Sequence, residues 1–270
     1  MKDVARAGEL ARVARERTQC LLATLAELDE VTLNGPSQLP GWSRLTIICH
    51  LRYGAHALRR MTVDALAGRR TSYYPDGRAH QRPTTLVPAP GERPADVLEN
   101  WRSTATALDS TWSTLDDVQW RTAVIEPADN PDLGTVPLGR LALARLTEVE
   151  VHATDLGLDA PDWSTALVEV GLPTRLAWLA NRRTNHRVFD RSIRGSWLLN
   201  ATDGQRWLVA VDHDRVESRL AAEDEIADAT IDGSNRDLLA LLLGRPRLAP
   251  LRFGGDVAFA QTFVRAFPGP

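Results

Sequence analysis

The sequence predicts two folded parts in series, a mainly α part in which four long helices pack as a bundle, then a small α+β domain. Three observations lead there. Before residue 160, apolar residues recur at three- and four-residue steps in four long segments, the period of a helix with one buried stripe. After Pro161, short runs rich in Val, Ile, Leu and Trp are spaced by turn residues, as strands are. The 270 residues suffice for one large core or two small ones. The change of texture divides the chain into domains 1–160 and 161–270.

The first helix is expected from Val4 to Leu28, with Leu10, Val13, Leu21, Leu22, Leu25 and Leu28 on one face. Asn34-Gly35-Pro36 breaks the chain, and Leu39-Pro40-Gly41-Trp42-Ser43 leads into a second helix that Ser43 caps and that runs to about Leu66. Trp42 reads as a core residue at the start of that helix. From Gly68 to Pro94 the chain is dense in proline, glycine and arginine, and reads as a long functional loop. Pro94 suits the first turn of a third helix, ending near Leu115. A fourth runs from near Pro137 to Gly157. Beyond Pro161, a helix is expected from Ser164 to Ala180, then strands at Ser196–Thr202, Arg206–Asp212 and Ala229–Ser234, and helices at Asn235–Leu243 and Val257–Phe267.

Composition narrows the class. With 32 basic against 35 acidic residues the net charge is −3, and no basic stripe interleaved with aromatics appears, so neither nucleic acid nor an acidic membrane is an expected partner. Lys2 is the one lysine; the arginine excess is what a GC-rich genome produces. No apolar run approaches the roughly 18 residues that span a bilayer, and the charged start MKDVARAGELARVARER lacks the apolar stretch of a signal peptide. Two cysteines, Cys20 and Cys49, are too few for a disulfide framework and suit a reducing compartment. A cytoplasmic protein is expected, monomeric or a weak homodimer.

Six histidines are candidates for chemistry: His50, His56, His80, His152, His186 and His213. The best local signal is Glu148-Val-Glu-Val-His152 in the fourth helix. Four-residue spacing puts Glu148 and His152 one turn apart on one face, as two ligands to one ion require. Glu150, two residues from each, points elsewhere and reads as solvated. His50 lies in the second helix among Ile47, Ile48 and Leu51, and a ligand from another helix would complete a His/Glu/His set, which favours zinc with a position left open. His56 is about 240° around the helix from His50 and cannot face the same ion. Spacing alone leaves the Glu148–His152 pair open to another reading, a surface ion pair or a buried hydrogen bond. Asp155, three residues on, is placed either to orient an imidazole or to close the helix before Gly157. Cys49 reads as core packing.

Taken in order, LPGWSRLTIICHL, YYPDGRAHQR and RLTEVEVHATDLGL resemble the mycothiol-dependent maleylpyruvate isomerase family, over nearly the whole chain and most strongly at Gly41–Leu51 and Arg145–Leu158. The resemblance implies a metal-binding bundle of the DinB type followed by a sterol-carrier-like domain, with zinc on His50, Glu148 and His152. It implies mycothiol, the low-molecular-weight thiol of actinobacteria, as cofactor or cosubstrate. Zinc lowers a thiol's pKa from about 8.5, making a thiolate at neutral pH that attacks an electrophilic small molecule. Addition, bond rotation and expulsion give cis–trans isomerisation of a maleylpyruvate-type diacid. Displacement of a leaving group gives S-transfer, as in thiol exchange on a lincosamide-type intermediate.

The resemblance aligns Arg82 with the family's substrate-binding arginine, and Arg78 lies in the same segment; a guanidinium there would grip a carboxylate bidentately. The alternative for both is a solvated loop arginine. Pro83, Thr84 and Thr85 depart from the polar and acidic residues usual in relatives, which leaves isomerase and S-transferase both open. Tyr74 and Arg145 are the residues expected at the thiol cofactor, with Tyr73 beside Tyr74 at the mouth. A third reading is a non-catalytic binder of an apolar ligand in the C-terminal domain.

Overall fold

The computed structural model describes residues 6–125, 134–158, 162–185, 190, 192–213 and 215–269. His186 and most of the turn-rich stretch before Pro137 lie outside them. The chain divides into two compact units, Met1–Ala166 and Leu167–Pro270.

In the first unit the four long helices are α1 (Ala7–Ala26), α3 (Arg44–Leu66), α5 (Pro94–Trp112) and α6 (Gly139–Asp155). Helix α1 packs on α5 and α6, and α3 packs on α5 and α6, so the four apolar stripes close on one core. Leu10, Leu25, Ile47, Ile48, Leu51, Met61, Trp101 and Leu108 lie fully inside it. Ser43 caps α3 as expected, its side chain accepting from the Thr46 N–H at 3.1 Å. Trp112, at the end of α5, donates its indole N–H to Thr62 Oγ1 at 2.9 Å, which satisfies both polar groups in the core.

Two short helices were not readable from periodicity. Helix α2 (Glu30–Asn34) is capped by Asp29, whose side chain accepts from the Thr32 N–H at 2.7 Å, and buries only Leu33. Helix α4 (Arg78–Thr85) replaces part of the expected long loop. Gly77, at φ 84°, turns the chain into it, and Pro83 removes one N–H donor just before the helix ends. None of its side chains is buried, so no apolar stripe announces it. A two-stranded ribbon, β1 (Ala123–Val124) against β2 (Val136–Pro137), precedes α6.

In the second unit, helix α7 (Thr165–Asn185) runs five residues past its expected end. A five-stranded sheet follows in the order β5-β4-β3-β6-β7. It comprises β3 (Gly195–Ala201), β4 (Arg206–Asp212), β5 (Arg215–Leu220), β6 (Ala229–Gly233) and β7 (Arg252–Gly255). The β3–β6 pair is parallel and the others are antiparallel. The two edge strands escaped the sequence reading. Strand β5, RVESRL, exposes charge along its length, and β7, RFGG, is half glycine; both are features that blunt a sheet edge. Helix α8 (Asn235–Leu243) begins at Ser234, whose side chain accepts from the Asp237 N–H, and ends at left-handed Gly244. The expected final helix is two short ones, α9 (Val257–Gln261) and α10 (Phe263–Ala266). They bring Phe259 and Phe263 onto Trp197, stacked at 4.5 Å and edge-on at 5.5 Å. The architecture is therefore the expected one, a helical bundle followed by an α+β unit.

Candidate metal centre

Helices α3 and α6 cross where His50 meets Glu148 and His152. His50 Nε2 lies 2.7 Å from Glu148 Oε2, and His152 Nε2 lies 3.2 Å from the same oxygen. One donor atom from each of the three falls within 4.8 Å of the others, a spacing that one metal ion can bridge. The imidazoles keep only 10% and 12% of their side-chain surface exposed, whereas Glu148 keeps 44%. Closed on its histidine sides and open over the carboxylate, the cluster offers an approach for a further ligand.

The protons of this cluster follow from its contacts. Burial works against ionised Glu148, yet hydrogen bonds from both imidazoles hold its carboxyl well below the usual range. His152 is pushed by burial toward neutrality, but Asp155 and Glu148 outweigh that and raise it to about 9. For His50 burial wins and its pKa falls. Asp155, itself buried, contacts His152 Nδ1 through Oδ2 at 2.8 Å and so turns Nε2 toward the cluster. His50 Nδ1 is buried without a hydrogen-bond partner.

The loop before α3 is tied to the end of α6. Gln38 N donates to the Asp155 carbonyl at 2.7 Å, and Arg44 Nε donates to the Leu156 carbonyl at 2.9 Å. This places Trp42 on the cluster, edge-on to His50 at 5.8 Å and stacked on His152 at 6.3 Å. The expectation that Trp42 is simply core is thereby corrected: it is half-buried and walls the centre. Its place next to Ser43, seven residues before His50, was the available signal.

Arg82 reaches the same wall. Its guanidinium lies 5.8 Å from the Trp42 ring centroid and its charge is felt by His50. Arg82 Nη1 donates to Tyr74 Oη at 3.3 Å, and Arg78 lies over the Tyr74 ring at 5.8 Å. Tyr74 is buried and stacks on Tyr53 at 5.3 Å. Arg145 sits one turn before Glu148, buried, donating Nη1 to the Leu51 carbonyl at 2.8 Å. The eight candidate residues thus form one neighbourhood.

Other candidates lie elsewhere. His56 is exposed on another face of α3, His80 is exposed on α4, and His213 is exposed in the turn after β4. Cys49 is fully buried, and burial pushes its thiol up to about 11, which removes it as a nucleophile. Glu150 overturns its expected solvation. Its side chain is 3% exposed, lies 3.1 Å from Arg17 Nε and accepts from the Ser164 N–H at 2.6 Å. The face of α6 opposite the cluster is covered by α1, so pointing away from the centre meant pointing into protein.

Comparisons with known proteins give the fold and the family. Two solved structures resemble the chain, each over 94% of both chains at 20% identity: a crystal structure of the mycothiol-dependent maleylpyruvate isomerase, with a TM-score of 0.64, and a histidine-to-alanine mutant of it, with 0.65. At that identity the likeness establishes the fold. No curated protein matches the sequence. The family model described as the mycothiol maleylpyruvate isomerase N-terminal domain matches residues 14–157, more than half of the chain, including the eight residues of this neighbourhood. The chain therefore belongs to the mycothiol maleylpyruvate isomerase family.

Proposed function

We propose that this protein is a zinc-dependent enzyme that uses mycothiol for cis–trans isomerisation of a maleylpyruvate-type diacid. The observation that carries the reading is the convergence of two imidazole nitrogens and one carboxylate oxygen beside an arginine. That N₂O donor set, open on its carboxylate side, suits zinc with a vacant coordination position. Bound there, zinc supplies a lowered thiol pKa, from about 8.5 toward neutrality.

The chain's own groups do the rest. His50, Glu148 and His152 would hold the ion, and Asp155 fixes the tautomer of His152. The Trp42 ring excludes water from the histidine side. Arg82, steadied by Tyr74 and assisted by Arg78, would grip a substrate carboxylate and balance negative charge developing on the diacid. Tyr74 and Arg145 would be the groups toward the thiol, Arg145 acting from its buried position as a positive charge.

A second reading is S-transfer to another electrophile, favoured by the uncharged Pro83, Thr84 and Thr85 that follow Arg82 on α4. Metal analysis tests the shared core: about one zinc per chain, absent from His152→Ala. A metal-free protein indifferent to chelators would sink both readings. Incubation with mycothiol and maleylpyruvate separates them. Fumarylpyruvate formation supports the isomerase; a zinc-loaded protein that forms none points to S-transfer.

A further inference from the structure

Away from the metal centre, two cavities open along α3 and meet at one residue. His56 lies about 240° around the helix from His50, on a face that the candidate metal ligands do not use. It lines both hollows, one of about 230 Å³ and one of about 250 Å³. Together they reach the size of a small-ligand site.

The two differ in chemistry. The first is bounded by His56, Arg59, Arg60, Val63 and Asp64, all on α3. Its carboxylate, Asp64, is already bound by Arg69 Nε at 2.9 Å. Its cations are not neutralised. Arg59 is exposed and, among the described residues, has no hydrogen-bond or ion-pair partner. Arg60 spends Nη2 on the Ser72 and Tyr73 carbonyls, both at 3.0 Å, and its Nε is buried without a partner. Carbonyl contacts anchor a guanidinium without cancelling its charge. Burial and these two cations push the His56 pKa down, so at neutral pH the imidazole is uncharged and offers one N–H and one lone pair.

The second cavity is rich in hydroxyls. Arg52 and His56 of α3, Thr84 and Thr85 of α4, and Asn100 and Thr104 of α5 are among its walls. Arg52 is cancelled by Glu92 at 2.6 Å. The hydroxyls of Thr84, Thr85 and Thr104 each donate to a backbone carbonyl of their own helix, at 2.8, 2.8 and 3.0 Å, which leaves their oxygens as acceptors. Asn100 adds an amide, donor and acceptor together. Walls of this kind pair with ligand hydroxyls, which both donate and accept.

We propose that this groove is a binding site for a hydroxyl-rich phosphate monoester of the sugar-phosphate class. Its phosphate lies against Arg59, Arg60 and His56, and its hydroxyls against Thr84, Thr85, Thr104 and Asn100. Two uncancelled guanidiniums beside an imidazole suit a dianion better than a single carboxylate. Thr84 and Thr85 share their short helix with Arg78 and Arg82, so an occupant contacts the segment that carries those arginines. The site is distinct from the metal centre and independent of the thiol-dependent reading.

The test is calorimetric titration of the whole protein with glucose 6-phosphate, inorganic phosphate and glucose. Glucose 6-phosphate should bind saturably, about one per chain and about tenfold more tightly than inorganic phosphate, with glucose weaker still. Arg59→Ala should weaken glucose 6-phosphate about tenfold with Tm unchanged, since this side chain supports nothing else. Thr104→Val should weaken glucose 6-phosphate about threefold and leave inorganic phosphate as it was. Arg82→Ala and His152→Ala should bind both as the wild type does. Absence of saturable binding, equal affinity for glucose 6-phosphate and inorganic phosphate, or a loss that follows Arg82 or His152 rather than Arg59 overturns the proposal.

Discussion

Helix α6 carries two glutamates, two residues apart, in surroundings that differ in kind. Glu148 keeps nearly half its side chain open, meets two imidazoles and is held ionised. Glu150 is closed off against Arg17 and Ser164, and burial raises its pKa. The buried one is the structural member, and the open one belongs to the candidate centre. Desolvation alone therefore does not mark a functional carboxylate here. Convergence of several donors on one accessible oxygen does.

The sharpest way to break this contrast is to remove ligands on one side only. His152→Ala, or Glu148→Ala, should abolish stoichiometric zinc and thiol-dependent turnover while leaving the helical circular-dichroism spectrum intact; retained metal would refute the donor set. Glu150→Ala should do the opposite. It removes the carboxylate that pairs with Arg17 and accepts from the Ser164 N–H, costing about 2–3 kcal/mol, visible as a lowered Tm with zinc content unchanged. Asp155→Asn should lie between, weakening zinc about 10- to 100-fold in a chelator competition because His152 loses its charged orienting partner.

Acid–base behaviour offers a milder probe. In metal-free protein His152 is raised from 6.5 to about 9. The stability it contributes is complete below pH 6.5 and is lost as pH rises through about 9, so the apo Tm should fall by a few degrees across that window. Apparent zinc affinity should climb over the same range, since the ion displaces that proton. A flat apo profile would show that His152 does not carry the charge. Smallest in consequence, iodoacetamide at pH 8 should label exposed Cys20 and spare Cys49, with activity unaffected.

Much of this was legible from the residues. The stripes of α1, α3, α5 and α6 follow a helical period, and the i, i+4 spacing of Glu148 and His152 already placed them on one face. What brought His50 to them is tertiary: α3 must pack against α6 at one particular level, which spacing within either helix cannot specify. Trp42 was misjudged because an indole beside a helix cap has the same local signature whether it fills a core or walls a site. Glu150 was misjudged because the period locates a side chain around its helix but is silent on which neighbour covers that side. Helix α4 and strands β5 and β7 bury too little to leave a pattern at all.

That last property has a consequence for α4. Its eight residues carry Arg78 and Arg82 yet bury no side chain, so its sequence is nearly free of the constraints that packing imposes on α3 and α6. Substitutions there cost the core little and act directly on what the arginines meet. On the proposed reading, this helix is the segment that selection, or a protein engineer, can rewrite to change the accepted substrate while His50, Glu148, His152 and Asp155 stay as they are.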